Sequence, residues 1–403
     1  MSLSASKMYL SIAFNNSFNI VGETMLLSFG AKNFFCFKEW VEISLALNSK
    51  VPPEISQGMD ATLTLCLKGG NASGKTNALK ILSFLSFFCT NSFNLKPDEP
   101  IPYATFFDNE LQSDFFVEFE ADSIKYLYEL TITKNIVISE KIYKKDKRST
   151  LVFSRSKNMI KRNTLTKQKT NLLIRNNASV ISTFKQLEIK EFDPFYNFFN
   201  NIKSNVTYFG LVDKNQEESS KLSEFYINNA EYLEFTTEIL RKFDTGISDV
   251  KIETYKDSDN KLQYFPLFIH NLPDATRTLL FHSQSSGTKS LFNVLAIYYL
   301  TLKIGGILVL DEFDITLHPD ILPHLVAMFE SSETNPHNAQ LLFSTHNNDI
   351  IDIMGKYKTY LFNKENGESF CYRLDELKDN IIRNDRPISP LYKSGKIGGI
   401  PRI

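Results

Sequence analysis

The chain has only four cysteines in 403 residues, and their spacing suits neither a zinc site nor a disulfide framework. They are Cys36, Cys66, Cys89 and Cys371. This usage favours a reducing, cytoplasmic compartment. Residues 1–24 lack the apolar core and the cleavage site of a signal peptide, so we expect an N-terminal extension there. A lysine and two glycines at 303–306 divide the apolar stretch 291–310, which predicts a buried helix and strand and no membrane contact.

Long heptad repeats and a nuclease-like acidic cluster are also missing. Residues 180–199 and 219–243 have the apolar spacing of helices, but neither sustains the three or four heptads of a coiled coil. The 57 residues after His346 contain no acidic cluster typical of a nuclease site. We therefore expect a compact chain. If the protein acts together with a nuclease, we expect the nuclease activity to reside in a separate protein.

Positive charge is concentrated in one segment, although the whole chain is nearly neutral at a net charge of −1. Residues 141–175 hold twelve Lys or Arg and one acid, Asp146, a local charge of +11. Such a segment would neutralise several phosphates of DNA. The alternative is a solvated hairpin face, with Tyr143 and Phe153 packed towards a core instead of stacked on bases. DNA contact is left open at this point.

A glycine-rich loop connects an apolar run, residues 63–67, to an apolar helix. Its sequence GGNASGKT fits the pattern Gly, four residues, Gly-Lys-Thr, which cradles phosphates on backbone amides at a helix N-terminus. We predict that Lys75 reaches the terminal phosphates of ATP and that the Thr76 hydroxyl binds Mg²⁺. The alternative is a glycine-rich turn with a surface lysine. The predicted nucleotide-binding residues are Gly69, Gly70, Asn71, Ala72, Ser73, Gly74, Lys75, Thr76 and Asn77.

Two apolar strands further along the chain end in polar residues. Residues 307–310 precede Asp311 and Glu312, and residues 341–345 lead to His346. Ligands of open α/β sheets bind at such strand ends. We predict that Asp311 holds Mg²⁺, that Glu312 polarises the attacking water, and that His346 donates a hydrogen bond to the γ-phosphate. The alternatives are solvated acids and a histidine bonded to backbone carbonyls.

A second helix start carries a serine and a glycine. In FHSQSSGTKSLF, residues 281–292, Ser286 and Gly287 would present a hydroxyl and free amides to an anion. An ordinary serine N-cap is the alternative. The remaining histidines lack metal-ligand spacing, and we expect structural roles for them.

In chain order the motifs are the phosphate loop, the Ser-Gly signature at a helix start, the strand that ends in Asp-Glu and the strand that ends in histidine. This order resembles the motif set of ABC-type ATPases. In that family the signature of one subunit completes the ATP site of another, so the resemblance implies a head-to-tail homodimer or higher oligomer. It also implies that Asp314 lies in the loop that contacts the other subunit. Thr288 departs from the second signature glycine. Gln112 stands at the distance of the family's nucleotide-linking glutamine, although a plain loop role is the alternative.

The motif variants narrow the resemblance. GGNASGKTN, SSGTKSL, LDEFDITLHP and FSTHN look like the bacterial abortive-infection ATPases of the RloA, AbiLi and PARIS AriA kind, relatives of the chromosome-maintenance and RecF ATPases. The similarity covers about residues 25–403 and includes LYKSGKIGGIPRI at the end. It implies an ATP-driven sensor in anti-phage defence that controls a separate effector of nuclease or TOPRIM-like type.

The predicted fold is α/β: an ABC-type P-loop ATPase head, a mixed sheet with flanking helices, carrying an inserted α+β lobe and no long coiled coil. We assign residues 1–24 to the extension, 25–93 to an N-terminal ATPase lobe with the phosphate loop, 94–265 to the insertion, and 266–403 to a C-terminal ATPase lobe. Two rival functions remain: a RecF-like ATPase that clamps DNA, and a scaffold that binds ATP without turnover. Glu312 disfavours the scaffold, because a binding-only site needs no general base.

Overall fold

The computed structural model describes residues 24–49, 51–166, 172–207, 210–211, 216–244, 246–314, 316–377, 381–383 and 386–400. The predicted extension, apart from Thr24, lies outside these residues, as do Lys167 and Lys169 of the basic segment.

The described residues form eighteen strands and ten α-helices, with runs of consecutive strands between the helices. The strands are β1 (Thr24–Lys32), β2 (Val41–Ser44), β3 (Thr64–Gly69), β4 (Ser113–Ala121), β5 (Ile124–Ile132), β6 (Val137–Lys145), β7 (Ser149–Ser156), β8 (Met159–Asn163), β9 (Ile202–Ser204), β10 (Val206–Thr207), β11 (Gly210–Leu211), β12 (Ile247–Lys256), β13 (Leu262–Asn271), β14 (Thr276–Leu280), β15 (Ile307–Leu310), β16 (Gln340–Ser344), β17 (Thr359–Glu365) and β18 (Glu368–Arg373). The helices are α1 (Pro53–Ser56), α2 (Lys75–Asn91), α3 (Val180–Gln186), α4 (Asp193–Asn200), α5 (Gln216–Asn228), α6 (Ala230–Phe243), α7 (Ser286–Ile304), α8 (Ile321–Glu330), α9 (Ile350–Met354) and α10 (Ser389–Lys393).

A six-stranded sheet in the order β18-β17-β3-β16-β15-β9 forms the centre of the nucleotide-binding part. All neighbours pair in parallel except β17 and β18. The apolar runs of β3, β15 and β16 are buried along their whole length, as expected of strands covered on both faces. Because these strands are parallel, their carboxyl ends meet at one edge of the sheet, where the predicted site residues follow them.

An antiparallel sheet in the order β2-β1-β4-β5-β6-β7-β8 packs beside the first. Buried and half-buried residues alternate along β4 and β5, so one face lies on the core and the other faces outwards. Strand β1, from the predicted N-terminal lobe, pairs with β4, from the predicted insertion. These two segments therefore share one sheet, and the domain boundary at 93/94 stays a prediction.

Helix α2 lies between the two sheets, and its apolar side chains are buried nearly all round, as its sequence predicts. On the opposite face of the six-stranded sheet, α7 and α8 pack in a second core. Gln340 at the start of β16 joins the sheets, since its side-chain amide bonds the backbone of Leu26 in both directions and also donates to the carbonyl of Thr62.

Two helices predicted as continuous are each broken in the structure. The predicted helix 180–199 divides into α3 and α4, because Glu188 adopts a left-handed φ of 55° and Pro194 begins a new first turn. The predicted helix 219–243 divides into α5 and α6 at Asn229, whose φ and ψ of −137° and 75° are not helical. The longest described helix, α7, has 19 residues, so the prediction of no long coiled coil is confirmed for the described residues.

The described residues of the basic segment include the second half of β6 and all of β7 and β8. Phe153 is buried, as predicted, and Tyr143 is half-buried. One of the twelve cations, Arg155, is buried against Glu140 and not displayed on the surface. Within the described residues, no helix is both long and apolar enough to cross a membrane.

Candidate nucleotide-binding site

The loop between β3 and α2 has the backbone conformation that its glycines allow. Gly74, at the N-cap position of α2, has φ of 110°, and Ala72 has φ of 59°. A Cβ atom on Gly74 would lie 3.0 Å from both Cys36 Sγ and Ser369 Oγ. Helix α2 thus begins where the loop ends, and its free amide groups and positive dipole end point into the loop.

Lys75 turns back over this loop. Its Nζ donates to the carbonyl oxygens of Gly69 at 2.9 Å and Gly70 at 3.0 Å, and its side chain is buried. Burial lowers the pKa of Lys75, while Asp311 and Glu312 act in the opposite direction. The ammonium is therefore held at the loop by its own carbonyls, in the place where a polyphosphate would accept the same hydrogen bonds.

Thr76 and Asp311 meet across the sheet, although 235 positions separate them in sequence. Thr76 Oγ1 donates to Asp311 Oδ2 at 2.7 Å. The other oxygen of Asp311 accepts a hydrogen bond from Ser344 Oγ, and Asn205 holds its backbone on both sides, at 2.8 and 2.9 Å. A hydroxyl and a carboxylate side by side suit Mg²⁺, which commonly takes one or two protein oxygens and completes its shell with phosphates and water.

Glu312 differs from the neighbouring Asp311 in its burial and in its hydrogen bonding. It is half-buried, and within the described part of the chain its carboxylate has no ion pair or hydrogen bond. Its backbone is held in a left-handed φ of 48° by the bond from its amide to Ser344 Oγ at 2.9 Å. Strained backbone of this kind costs about 1–3 kcal/mol and persists only where the surroundings enforce it. The carboxylate thus lies at the strand end without a hydrogen-bond partner in the part of the chain that the structure describes.

Asp314, Thr345 and His346 form the next part of the site. Thr345 Oγ1 donates to Asp314 Oδ2 at 2.6 Å, and the amide of Asn347 donates to the same oxygen at 3.2 Å. His346 is exposed, and its pKa is lowered by partial burial and then by the positive charges of Lys75 and Lys68. The imidazole is therefore mainly neutral at pH 7.

Three buried polar atoms in this region have no hydrogen-bond partner among the residues that the structure describes. They are Ser73 Oγ in the loop, Ser369 Oγ beside Gly74, and Asp314 Oδ1. Buried polar groups are nearly always hydrogen-bonded, so unsatisfied ones call for an explanation. The open donors and acceptors in and around the loop, with the Thr76–Asp311 pair, fit a polyphosphate accompanied by Mg²⁺.

The predicted signature residues, Ser286 and Gly287, lie at the start of α7 and not at the phosphate loop. Ser285, rather than Ser286, caps helix α7, accepting from the amide of Thr288 at 3.1 Å. Ser286 is exposed and has no hydrogen-bond partner among the described residues. Gly287 lies against the backbone of Thr316, whose oxygen would be 2.9 Å from a Cβ atom there. No hydrogen bond or ion pair within the described residues joins this helix start to the phosphate loop.

Thr288, which replaces the second signature glycine, is buried and donates to Asp244 Oδ2 at 2.8 Å. The substitution therefore ties the start of α7 to the end of α6. Gln112 is exposed, and its backbone oxygen accepts from Asn33 at 3.0 Å. That contact does not test a role for its side chain.

Several site residues were not predicted from the sequence. Lys68, Asn205 and Ser369 belong to no motif, and each reaches the site from a strand, a loop or an edge strand that folding brings together. None of these three residues is marked by a local sequence pattern, because each reaches the site only when distant strands become neighbours.

Gly74→Ala tests the loop geometry. We expect the Kd for ATP to rise about tenfold, because alanine disfavours φ of 110° and its methyl group would press on Cys36 and Ser369. The measurement is titration with a fluorescent ATP analogue. Gly58→Ala is the matched control, since Gly58 also has positive φ, 77°, but no atom of the described residues lies within 4 Å of its Cβ position. Equal affinities for both variants would contradict the prediction.

The parallel sheet, the phosphate loop and the carboxylates at the neighbouring strand end define a P-loop ATPase of the α/β class. A family model described as "AAA domain, putative AbiEii toxin, Type IV TA system" matches residues 65–352. The chain belongs to this family. The match spans the phosphate loop, the Asp311–Glu312 strand end and His346, so an ATPase-type domain is established for the part that carries the site.

The chain is also similar to solved structures of chromosome-maintenance head domains. The SMC head domain from Thermotoga maritima has 14% identity and a TM-score of 0.41, covering 86% of this chain and 98% of that one. The SMC head bound to the C-terminal winged-helix domain of ScpA has 13% identity and a TM-score of 0.46, with 87% and 98% covered. A head with an extended coiled coil, derived from Pyrococcus furiosus, has 11% identity and a TM-score of 0.41, with 88% and 97% covered. No curated protein matches the chain.

Proposed function

We propose that this protein binds and hydrolyses ATP and uses the cycle to control a separate effector in a bacterial anti-phage system. The observation that carries the ATPase part is the contrast at one strand end, where Asp311 bonds Thr76 and Ser344 while Glu312 has no partner among the described residues. One carboxylate is fixed as a ligand would be, and the next is free to act as a base.

In this proposal each site residue has one task. The loop amides and Lys75 bind the phosphates of ATP, and Thr76 and Asp311 hold Mg²⁺, which would neutralise charge on the terminal phosphates. Glu312 accepts a proton from the attacking water. The neutral imidazole of His346 donates a hydrogen bond to the γ-phosphate.

The proposed assembly is a head-to-tail dimer or a higher oligomer. Ser286 is exposed at a helix start, and no described contact joins it to the phosphate loop of its own chain. A hydroxyl beside free amides and a positive helix end would bind an anion. We propose that Ser286 and Gly287 of one subunit meet the γ-phosphate held by another, with Asp314 in the loop between them.

Two observations support a role in defence. The motif variants resemble abortive-infection ATPases of the RloA, AbiLi and PARIS AriA kind, and the family description refers to AbiEii and to a type IV TA system. In line with that resemblance, we propose that the destructive step belongs to a separate nuclease or TOPRIM-like protein in the cytoplasm. Closure of the heads on ATP would hold or release that partner.

A RecF-like DNA clamp is the second candidate, and the basic segment favours it. Six exposed cations have no ion pair within the described residues: Lys144, Lys147, Arg148, Lys157, Lys161 and Arg162. They lie in β6, in the turns on either side of β7 and in the edge strand β8. Lysines on an edge strand also prevent pairing with other chains, so this charge has a structural explanation too.

The test uses Glu312→Gln as affinity-tagged bait in native cell extract with ATP and Mg²⁺, because this variant should bind ATP and stay closed. Co-purifying proteins are identified by mass spectrometry, and Lys75→Ala bait is the control for ATP-dependent capture. One stoichiometric nuclease-type protein on Glu312→Gln alone is the expected result. Recovery of only DNA and recombination proteins would replace the defence proposal with the clamp.

A further inference from the structure

Lys68 is a buried lysine directly before the phosphate loop. It lies in β3 directly before Gly69, and only 2% of its surface is exposed. Lysine is almost never fully buried unless its charge is paired. Within the described residues Lys68 has no ion pair, and its ammonium has a single hydrogen-bond acceptor, the carbonyl oxygen of Thr345 at 3.3 Å.

The lysine is enclosed from the other side by the C-terminal segment. Its Nζ lies 5.5 Å from the centre of the Tyr392 ring in α10. The start of α10 is held by Asp352 of α9, which accepts hydrogen bonds from the amides of Ile388 and Ser389. The segment LYKSGKIGGI, which no motif role explains, therefore packs on β17, where the amide of Gly399 donates to Asn363, and brings Tyr392 over Lys68.

Thr345 connects this lysine to two predicted site residues. Its carbonyl accepts from Lys68, its hydroxyl donates to Asp314 Oδ2, and its own chain continues into His346. Lys68 thus joins the strand that leads into the phosphate loop to the strand end that carries the histidine. The carboxylates of Asp314 and Asp349 act on the ammonium through space without touching it.

A purely structural role would not need a charge at this position. Burial lowers the pKa of Lys68 to about 8, which shows that the charged form is disfavoured by its surroundings. Methionine would fill a similar volume without that cost. The charged group is of use here because it orients a carbonyl that an apolar side chain would leave free.

We propose that Lys68 is a positioning residue for hydrolysis, which sets the place of His346 and Asp314 relative to the phosphate loop through Thr345. The inference rests on the proposed ATPase function. Lys68 does not touch the predicted positions of the reacting atoms, so its removal should slow the reaction without weakening the binding of ATP.

The experiment measures kcat and KM for ATP hydrolysis, the Kd of a fluorescent ATP analogue, and the Tm of Lys68→Met and Lys68→Arg. We expect Lys68→Met to lower kcat about 10- to 100-fold, since small misplacements of reacting groups have effects of this size. The Kd should stay within about twofold, a change well under one kcal/mol. Lys68→Arg should recover much of kcat, because it restores a charged donor.

Lys203→Met is the matched control. Lys203 is also a buried lysine of the six-stranded sheet, and burial lowers its pKa to about 8. Its ammonium donates to the carbonyl of Asn200 at 2.8 Å and, among the described residues, forms no hydrogen bond or ion pair with a site residue. It should lower stability without the selective loss of kcat. An equal loss of kcat in both variants, or none in Lys68→Met, would overturn the inference.

Thr345→Val provides a second route if Lys68→Met does not fold. It removes the hydroxyl that bonds Asp314 and should lower kcat in the same selective way; wild-type kcat in this variant would overturn the inference. The ATPase function and the role of Lys68 are tested by different outcomes. Absence of ATPase activity in the wild-type protein refutes the proposed function, whereas an active wild type with an equally active Lys68→Met refutes only the role of Lys68.

Discussion

Replacing Glu312 with glutamine is expected to lower kcat for ATP hydrolysis about 10²–10⁴-fold, the usual contribution of a general base. The affinity for ATP should stay unchanged, because the carboxylate bonds nothing in the described structure and belongs to neither the loop nor the Thr76–Asp311 pair. Glutamine preserves the size of the side chain and removes its ability to take a proton. Single-turnover hydrolysis and analogue binding measure the two quantities separately.

Asp311→Asn is the control for this prediction. Asp311 accepts hydrogen bonds from both Thr76 and Ser344 and is only 2% exposed, so its replacement should weaken Mg²⁺-dependent ATP binding as well as turnover. The two adjacent variants should therefore differ in affinity while both lose activity. If Glu312→Gln hydrolyses ATP at the wild-type rate, Glu312 is not the base, and another residue takes the proton of the attacking water.

Short contiguous motifs in the sequence were sufficient to predict the central part of the site. The loop glycines, the lysine and the threonine are contiguous, and the conformation they need depends on neighbours only a few residues away. The buried strands β15 and β16 are continuous apolar runs, and they end in polar residues where the sequence indicates. Since parallel strands align their carboxyl ends, these local predictions also placed Asp311 near Thr76.

Residues that reach the site from distant strands could not be predicted in this way. Asn205, Ser369 and Lys68 carry no pattern, because their roles depend on which strands become neighbours. The pairing of β1 with β4 shows the same limit, since the two strands are more than 80 residues apart and each is only an alternating run in the sequence. Helix breaks at Glu188 and Asn229 were missed because apolar spacing continues across them.

The basic segment shows that amino-acid composition does not predict which charged side chains are buried. Twelve cations in residues 141–175 have similar neighbours in sequence, but Arg155 is 1% exposed. Its Nε donates to Glu140 at 2.6 Å, and its remaining donors bond the carbonyls of Lys157, Arg175 and Ala178. This side chain therefore holds the loop after β8 against β6 and β7.

Glu140 is just as fully enclosed. Its carboxylate accepts hydrogen bonds from the hydroxyls of Tyr128 at 2.8 Å and Ser179 at 2.7 Å, and from the amide of Val180 at the start of α3. A negative charge at a helix N-terminus is favourable. The pair thus connects the antiparallel sheet to the helix that packs on it, and the removal of one partner leaves the other charge buried.

Arg155→Met is accordingly expected to lower the free energy of unfolding by about 3–5 kcal/mol, the cost of an uncompensated charge in the interior. Methionine replaces most of the volume, so the loss comes from the charge and from three carbonyls deprived of a donor. Urea unfolding followed by circular dichroism measures the change. Arg155→Met/Glu140→Gln should recover part of the loss, because the double variant no longer buries a lone carboxylate.

Arg162→Met is the matched control, since Arg162 is an exposed arginine of the adjacent edge strand β8, opposite Ser154. Its replacement should change the free energy of unfolding by about 0.5 kcal/mol or less. The same pair of variants separates stability from nucleic-acid contact. If the basic segment binds DNA, Arg162→Met should weaken that binding while the fold stays intact, and Arg155→Met should affect it only through unfolding. Equal stability of the two variants would show that the buried pair contributes nothing to holding α3 on the sheet.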